Sequence, residues 1–274
     1  MDIENKVFVV TGAARGLGAA IASLAASRGA KVLISDVRED AGRATALRIR
    51  ELGGTAIFKA CDVTFYDQCE ILMNHAVDEF GSLDVLVNNA GTHEALISDK
   101  FTFDEMEIET FDRVLDVNLR GPFICAKSAV KHLKVSKRFP CIINAGSTAS
   151  FVGYPFGLAY GVSKGGIALL TKNLAVALAP YGIRSNCYCP ASTDTDMVTE
   201  VSATIGARQF SAVSNPNSAQ LGAHLVRRIG HVSDVAELVC FLASDRASFI
   251  NGASILIDGG TLAWRETVDA LGMS

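Results

Sequence analysis

Along the chain, short runs of apolar residues alternate with longer stretches whose apolar positions recur every three or four residues. The short runs predict strands at Lys6–Val10, Lys31–Ser35, Thr55–Ala60, Leu83–Val87, Cys141–Ala145, Arg184–Tyr188 and Ser254–Ile257. The longer stretches predict helices over Gly16–Ser27, Glu39–Leu52, Tyr66–Phe80, Ile108–Asn118, Gly121–Val135, Ala159–Ala179 and Val235–Ala243. The strand runs are apolar throughout rather than alternating, which predicts burial on both faces. Repeated β-α-β order then predicts a parallel sheet with helices on both sides, and right-handed crossovers make it doubly wound. No linker interrupts this order, so residues 1–260 are expected to form one α/β domain around a sheet of about seven strands. The long stretch outside the repeat, Ser192–Val232, is rich in Ser, Thr, Asn and Gln. A connection of that length in a compact domain is usually functional, and 194–231 is expected to form a lid over a substrate. Residues 261–274 are expected to be a short tail.

Of the 274 residues, 49% are apolar, enough for a sizeable core and too many for a disordered chain. A formal charge of −4 argues against nucleic acid as a partner, because phosphate binding wants clustered Lys and Arg. No apolar run approaches the ~20 residues that span a bilayer. Met1–Lys6 is acidic and polar, without an apolar signal core. Neither a membrane partner nor export is therefore expected. Seven cysteines at irregular spacing do not make a disulfide framework, which predicts a reduced, cytoplasmic protein.

The chemistry starts at Thr11-Gly12-Ala13-Ala14-Arg15-Gly16-Leu17-Gly18, between the first strand and the first helix. Glycines let the backbone turn tightly and come close to a ligand. The helix start offers free N–H groups and a positive dipole end to a diphosphate. Asp36 ends the second strand, 18 positions after Gly18, near the spacing at which an acid meets the adenosine ribose hydroxyls. Asp62-Val63 and Asn88-Asn89-Ala90-Gly91 follow the third and fourth strands, at the carboxyl ends where open α/β sheets bind ligands. Taken singly, Asp62 reads as a turn cap.

Tyr160 and Lys164 are four apart on a predicted helix and share one face. Ser147 lies 13 residues before Tyr160, just past a strand. A Tyr hydroxyl titrates near 10, so acting as a base at neutral pH needs roughly 4 kcal/mol in favour of the tyrosinate. A neighbouring ammonium acts in that direction. Alone, such a pair reads as surface residues.

Together these elements resemble the short-chain dehydrogenase/reductase family over about Lys6 to Gly260. The matching elements are Thr11-Gly12-x-x-x-Gly16-x-Gly18, Asp62, Asn88-Asn89-Ala90-Gly91, Asn118, Ser147, Tyr160-x-x-x-Lys164 and Asp258-Gly259-Gly260. The resemblance implies a Rossmann fold and a nicotinamide cofactor. It implies that Tyr160 exchanges a proton with the substrate oxygen, and that Ser147 holds and polarises that oxygen. Lys164 would assist Tyr160 and bind the nicotinamide ribose, and Asn118 would position a water near Lys164. By the same resemblance Gly12, Gly16 and Gly18 form the phosphate turn, with Arg15 and Leu17 also binding the cofactor. Asn89, Ala90 and Gly91 pack beside the adenosine, and Asp62 and Val63 meet the adenine. Thr193 and Thr195, after Pro190, bind the carboxamide and nearby phosphates. It further implies a homo-oligomer, tetramers being common, through the helices at Ile108–Val135 and Ala159–Ala179. The chain departs from the family at Pro190-Ala191, where glycine usually follows proline; the added methyl would restrict a turn that needs positive φ.

The expected activity is hydride transfer between a secondary alcohol, or its ketone, and NAD. Asp36 would repel a 2′-phosphate, although Arg15 and Arg38 nearby pull toward NADP(H) and leave an NADP(H)-dependent carbonyl reductase as the alternative. A non-catalytic nucleotide-binding scaffold is weighed against the intact Tyr160, Lys164, Ser147 and Asn118. Enoyl reductases of the family usually place six residues between the Tyr and the Lys; here three intervene, which favours a carbonyl or alcohol substrate. Met197, Val198, Val201, Ile205, Phe210, Val213, Leu221 and Leu225 of the lid, with Tyr154 and Phe156, suggest an uncharged, partly apolar or cyclic substrate. Cys187 and Cys189 share one face of a strand, with no further ligands to complete a metal site, so packing is expected and no metal. His93 follows Asn88–Gly91 closely enough to border the substrate site, but reads first as an exposed loop histidine.

Overall fold

The structure is a computed structural model and describes residues 3–153, 157–209 and 224–264. Seven parallel strands form one sheet: β1 (Val7–Thr11), β2 (Lys31–Asp36), β3 (Thr55–Ala60), β4 (Val85–Asn88), β5 (Cys141–Ala145), β6 (Arg184–Pro190) and β7 (Ser254–Ile257). Their order is β3-β2-β1-β4-β5-β6-β7. It reverses between β1 and β4, so the carboxyl ends of those two strands diverge into a crevice. The helices are α1 (Gly16–Ser27), α2 (Glu39–Glu51), α3 (Tyr66–Phe80), α4 (Ile108–Leu115), α5 (Gly121–Leu133), α6 (Leu158–Leu178), α7 (Asp196–Gln209) and α8 (Val232–Ala243).

The apolar strands bury residues on both faces, as their continuous runs predict. On one face Phe8, Val10, Ile34 and Val87 pack under Ile21 and Ala25 of α1, Ala46 and Ile49 of α2, and Val239 of α8. On the other, Val7, Val9, Leu86 and Ile142 pack under Leu72 and Met73 of α3 and Cys125 and Ala129 of α5.

Several element ends shift from the sequence expectation by one to three residues, and two of the shifts have a local cause. The fourth strand starts at Val85, not Leu83, because the buried Asp84 side chain accepts the Val7 N–H at 2.8 Å in place of a backbone carbonyl. The helix expected over Ile108–Asn118 gives way after Leu115 to a π-helical turn, Asp116–Arg120. The expected lid, 194–231, opens with helix α7; its residues Phe210, Val213 and Leu221 lie outside the described residues, as do Tyr154 and Phe156. Contrary to the expectation of no long apolar run, Leu158–Tyr181 is long and apolar enough, by length and composition, to cross a bilayer. It packs on β6 and buries Ile167, Thr171 and Ala175, as a core helix of the domain does.

Candidate active site

The crevice at the strand-order reversal is a cavity of about 530 Å³. Fourteen of the residues singled out in the sequence line it: Gly12, Arg15, Gly16, Leu17, Asp36, Asp62, Val63, Asn89, Ala90, Gly91, Tyr160, Lys164, Pro190 and Thr195. They come from the carboxyl ends of five strands (β1, β2, β3, β4 and β6), from the start of α1 and from α6.

The floor is the β1–α1 turn. Gly12 has φ +62°, and a Cβ there would lie 2.6 Å from the Ala90 Cα; at Gly18 one would lie 2.4 Å from the Gly12 carbonyl oxygen. The turn and the segment after β4 are therefore in backbone contact, which only glycine permits. Asn89 holds this contact: its Nδ2 donates to the carbonyls of Thr11 at 3.0 Å and Gly12 at 2.9 Å. Its Oδ1 accepts from the Tyr188 hydroxyl at 2.8 Å. No side chain caps α1, so its first N–H groups are open toward the cavity, the arrangement that receives a diphosphate.

At one end of the cavity the buried Asp36 carboxylate accepts from the N–H groups of Ala14 at 3.0 Å and Arg38 at 2.9 Å. Two of its roughly four acceptor positions are used, and the rest are free for hydroxyl donors. Burial would raise the Asp62 carboxyl, but Thr64 N–H and O–H, with Arg113 at 3.6 Å, hold it below its ordinary range. Arg15 is bridged across the mouth to Glu200, at 2.6 and 3.0 Å, and to Asp196 at 3.2 Å.

At the other end sit Tyr160 and Lys164. The Lys164 ammonium is buried, donates to the Ala145 carbonyl at 2.7 Å and lies 5.4 Å from the Tyr160 ring centroid. Burial pushes its pKa down to about 8. The Ser147 Oγ accepts from Ala149 N–H at 3.2 Å, which leaves the hydroxyl hydrogen free to donate elsewhere. Ser150 ties this turn to α6 by donating to the Lys164 carbonyl at 2.8 Å. Asn118 lies behind Gly91 in the π turn. Its Oδ1 accepts from Thr92 N–H at 2.7 Å, and its Nδ2 donates to the Thr92 carbonyl at 2.9 Å and the Ser163 Oγ at 3.1 Å. The residue that would complete an ordinary helical bond to the Asn118 carbonyl is Pro122, which has no N–H.

Four expected site residues stand off the cavity surface. Gly18 lies against Gly12, Asn118 and Ser147 adjoin the lining residues Gly91 and Gly146, and Thr193 lines a separate cavity with His224 and Arg228. Ala191 has no positive φ, so the methyl that replaces the usual glycine meets no backbone strain. Cys187 and Cys189 are buried side by side, their sulfurs 3.7 Å apart. His93 contradicts its reading as an exposed loop residue. It is buried, caps a 3-10 turn (Glu94–Leu96) and packs on Tyr160. Glu94, Arg113, Tyr188, Asp196 and Glu200 carry no spacing signal. The one hint in the sequence is a charged residue three positions past Gly91.

A family model described as enoyl-(acyl carrier protein) reductase matches residues 12–261. The cis-4-hydroxycyclohexanecarboxylate dehydrogenase of Sinomonas cyclohexanicum is 39% identical, over 94% of this chain and 97% of its own length. The L-rhamnose 1-dehydrogenase (NAD(P)(+)) of Azotobacter vinelandii is 37% identical, over 95% and 98%. A crystal structure of a dehydrogenase/reductase from Sinorhizobium meliloti 1021 superposes with a TM-score of 0.82 at 34% identity, over 95% and 97%.

Proposed function

The chain belongs to the short-chain dehydrogenase/reductase family and is an NAD(P)-dependent alcohol dehydrogenase, and we propose that it interconverts a ring-bearing secondary alcohol and its ketone with NAD(H) preferred. The observation that carries this reading is the single cavity with Tyr160 and Lys164 at one end and the Asp36 carboxylate at the other. The open N–H groups of α1, the close backbone approach at Gly12 and the free acceptor positions of Asp36 fit a dinucleotide. A nicotinamide cofactor held by these residues would supply the hydride acceptor for the carbinol carbon.

The Tyr160 tyrosinate takes the proton from the carbinol oxygen in oxidation, and the hydroxyl so formed returns it in reduction. Ser147 donates its free hydroxyl hydrogen to that same oxygen and holds it beside Tyr160. Lys164 favours the tyrosinate by its charge and holds the nicotinamide ribose hydroxyls. Asn118 braces Thr92 and Ser163 with its side chain and would position a water near Lys164. The three-residue Tyr160–Lys164 spacing supports a carbonyl or alcohol substrate over an enoyl one. Leu96, Ile97 and Met197 on the cavity wall, and the ring-bearing substrates named for the relatives, support a partly apolar, cyclic alcohol. The test is NADH formation across cyclic, steroidal, sugar-like and acyclic secondary alcohols. Activity confined to acyclic polyols or ringless hydroxy acids overturns the substrate reading.

The Asp36 carboxylate occupies the ribose end and opposes a 2′-phosphate by charge and by lost hydrogen bonds. Arg15, engaged by Glu200 and Asp196, is not a free counter-charge. The preference for NAD(H) should be tenfold or more in kcat/KM, which is about 1.4 kcal/mol. Asp36→Ser should shrink or reverse it, measured as kcat/KM with both cofactors. Equal use of the two by the unmodified protein would show that Asp36 does not govern the choice.

Exposed Ile108, Phe123, Val162, Leu169 and Val176 leave an apolar face on the α4–α6 layer, which supports a homo-oligomer, a tetramer being favoured. Light scattering at micromolar concentration should give a multiple of the 29.0 kDa chain, and a monomer refutes it. All seven cysteines are buried free thiols, in keeping with a reducing compartment such as the cytoplasm.

A further inference from the structure

The segment after β4 grips the helix that carries Tyr160. Gly157, the N-cap of α6, has no side chain, so the donors of the first turn need a partner from elsewhere. Glu94 supplies it. Its wholly buried carboxylate accepts the N–H of Ala159 at 3.0 Å on Oε1 and the N–H of Tyr160 at 3.2 Å on Oε2. Burial, the larger effect, leaves this carboxyl above its ordinary range, and the backbone N–H groups offset part of that rise. A carboxylate accepting at a helix N-terminus is the arrangement that favours the ionised form.

The preceding residue grips the same tyrosine by its ring. The His93 and Tyr160 ring centroids are 5.1 Å apart with the planes inclined by 31°. His93 Nδ1 accepts from Ala95 N–H at 3.1 Å, so the ring carries its proton on Nε2. Burial pushes its pKa down to about 4, and it is neutral at working pH. Two adjacent residues thus hold one side chain at both ends, the main-chain nitrogen through Glu94 and the aromatic ring through His93.

We propose that His93 and Glu94 are positioning residues for Tyr160, setting where its hydroxyl points and, through the Glu94 charge, how readily it ionises. The proposal rests on the reading of Tyr160 as the acid/base of the reaction. Five other titratable groups bear on Tyr160. Lys164, on its own helix, favours the tyrosinate, and His93 is neutral. Tyr188 on β6 is pushed up by burial and stays protonated. Cys187 is pushed up by its hydrogen bond to Cys189 and by burial, Cys189 is held down by the same bond, and both bear on Lys164. Among the described residues, Glu94 is an anion bonded to the Tyr160 main chain and opposed to Lys164 there.

Glu94→Gln keeps the shape and one acceptor oxygen and removes the charge; His93→Ala keeps the cap and removes the ring. Three quantities decide: NADH affinity by fluorescence titration, kcat, and the ionisation of Tyr160. The last is read as the tyrosinate absorbance difference between each protein and its Tyr160→Phe counterpart, without turnover. Both variants should bind NADH within about twofold of the unmodified protein and lose about tenfold or more in kcat, since a slightly misplaced reacting group costs rate rather than affinity. In Glu94→Gln the Tyr160 titration should move to lower pH by about half a unit or more, because an opposing anion is gone. Tyr160→Phe in the unmodified background tests the underlying reading separately: undiminished turnover there removes the acid/base assignment itself. With that control inactive, the positioning role is overturned by unmodified kcat in both variants, by loss of NADH affinity in step with kcat, or by an unmoved Tyr160 titration in Glu94→Gln.

Discussion

Tyr160→Phe should lower turnover by at least about a hundredfold while leaving NADH binding intact, the loss typical of removing a positioned acid/base. The substitution deletes a single oxygen. The Glu94 bonds run to the main chain and the His93 contact to the ring, so both survive. Lys164 keeps its bond to the Ala145 carbonyl. What disappears is the hydroxyl that moves the proton, and Ser147 cannot replace it because an isolated serine hydroxyl is far too weak a base. Steady-state kcat with a reactive cyclic alcohol, beside an NADH fluorescence titration, measures both halves. Near-normal turnover would sink the assignment.

Lys164→Met should make the protein more stable and nearly inactive. The Lys164 pKa is about 8 in the fold against an ordinary 10.5. Between those two values the unfolded chain binds more protons than the folded one. Holding the charge in the interior therefore costs stability in full below pH 8, and the cost fades as pH rises toward 10.5. The pKa difference is worth roughly 3 kcal/mol. Losing the donor to the Ala145 carbonyl takes back about 1 kcal/mol. A net gain of about 2 kcal/mol at pH 7 should raise Tm by several degrees, at roughly 2–4 °C per kcal/mol for a domain of this size. The gain should shrink toward pH 10. Turnover should collapse because the ammonium that favours the Tyr160 tyrosinate is gone, and cofactor affinity should fall with it. Thermal melts at pH 7 and pH 10, with kcat at pH 7, check all of this. A Lys164→Met protein less stable than the unmodified one at pH 7 would show that the buried ammonium stabilises the fold. Holding a costly charge beside the acid/base is a stability loss that function explains.

Much of this site is one-dimensional. The seven strands and most helices were legible because burial on one or two faces imposes a period on the residues themselves. The glycine turn, Asp36 and Tyr160-x-x-x-Lys164 were legible because each is a local device: a turn, a strand end and one helix face. Their meeting in one cavity follows from parallel order, which places every strand's carboxyl end on the same side.

What the tertiary structure alone decided involves partners far apart in the chain. Glu94 caps Tyr160 from 66 residues away, and Arg15 meets Glu200 across 185. His93 reads in the sequence as a loop histidine, and it is buried because the turn after β4 folds against α6. The helix expected through Asn118 becomes a π turn ahead of Pro122. Ala191 takes the place of the usual glycine without strain, since its φ is set by the path from β6 into α7. The physical reason is common to all of them. A periodic pattern states that a side chain is buried, but a buried polar group must be satisfied by a partner, and the choice of partner is made by packing at a distance.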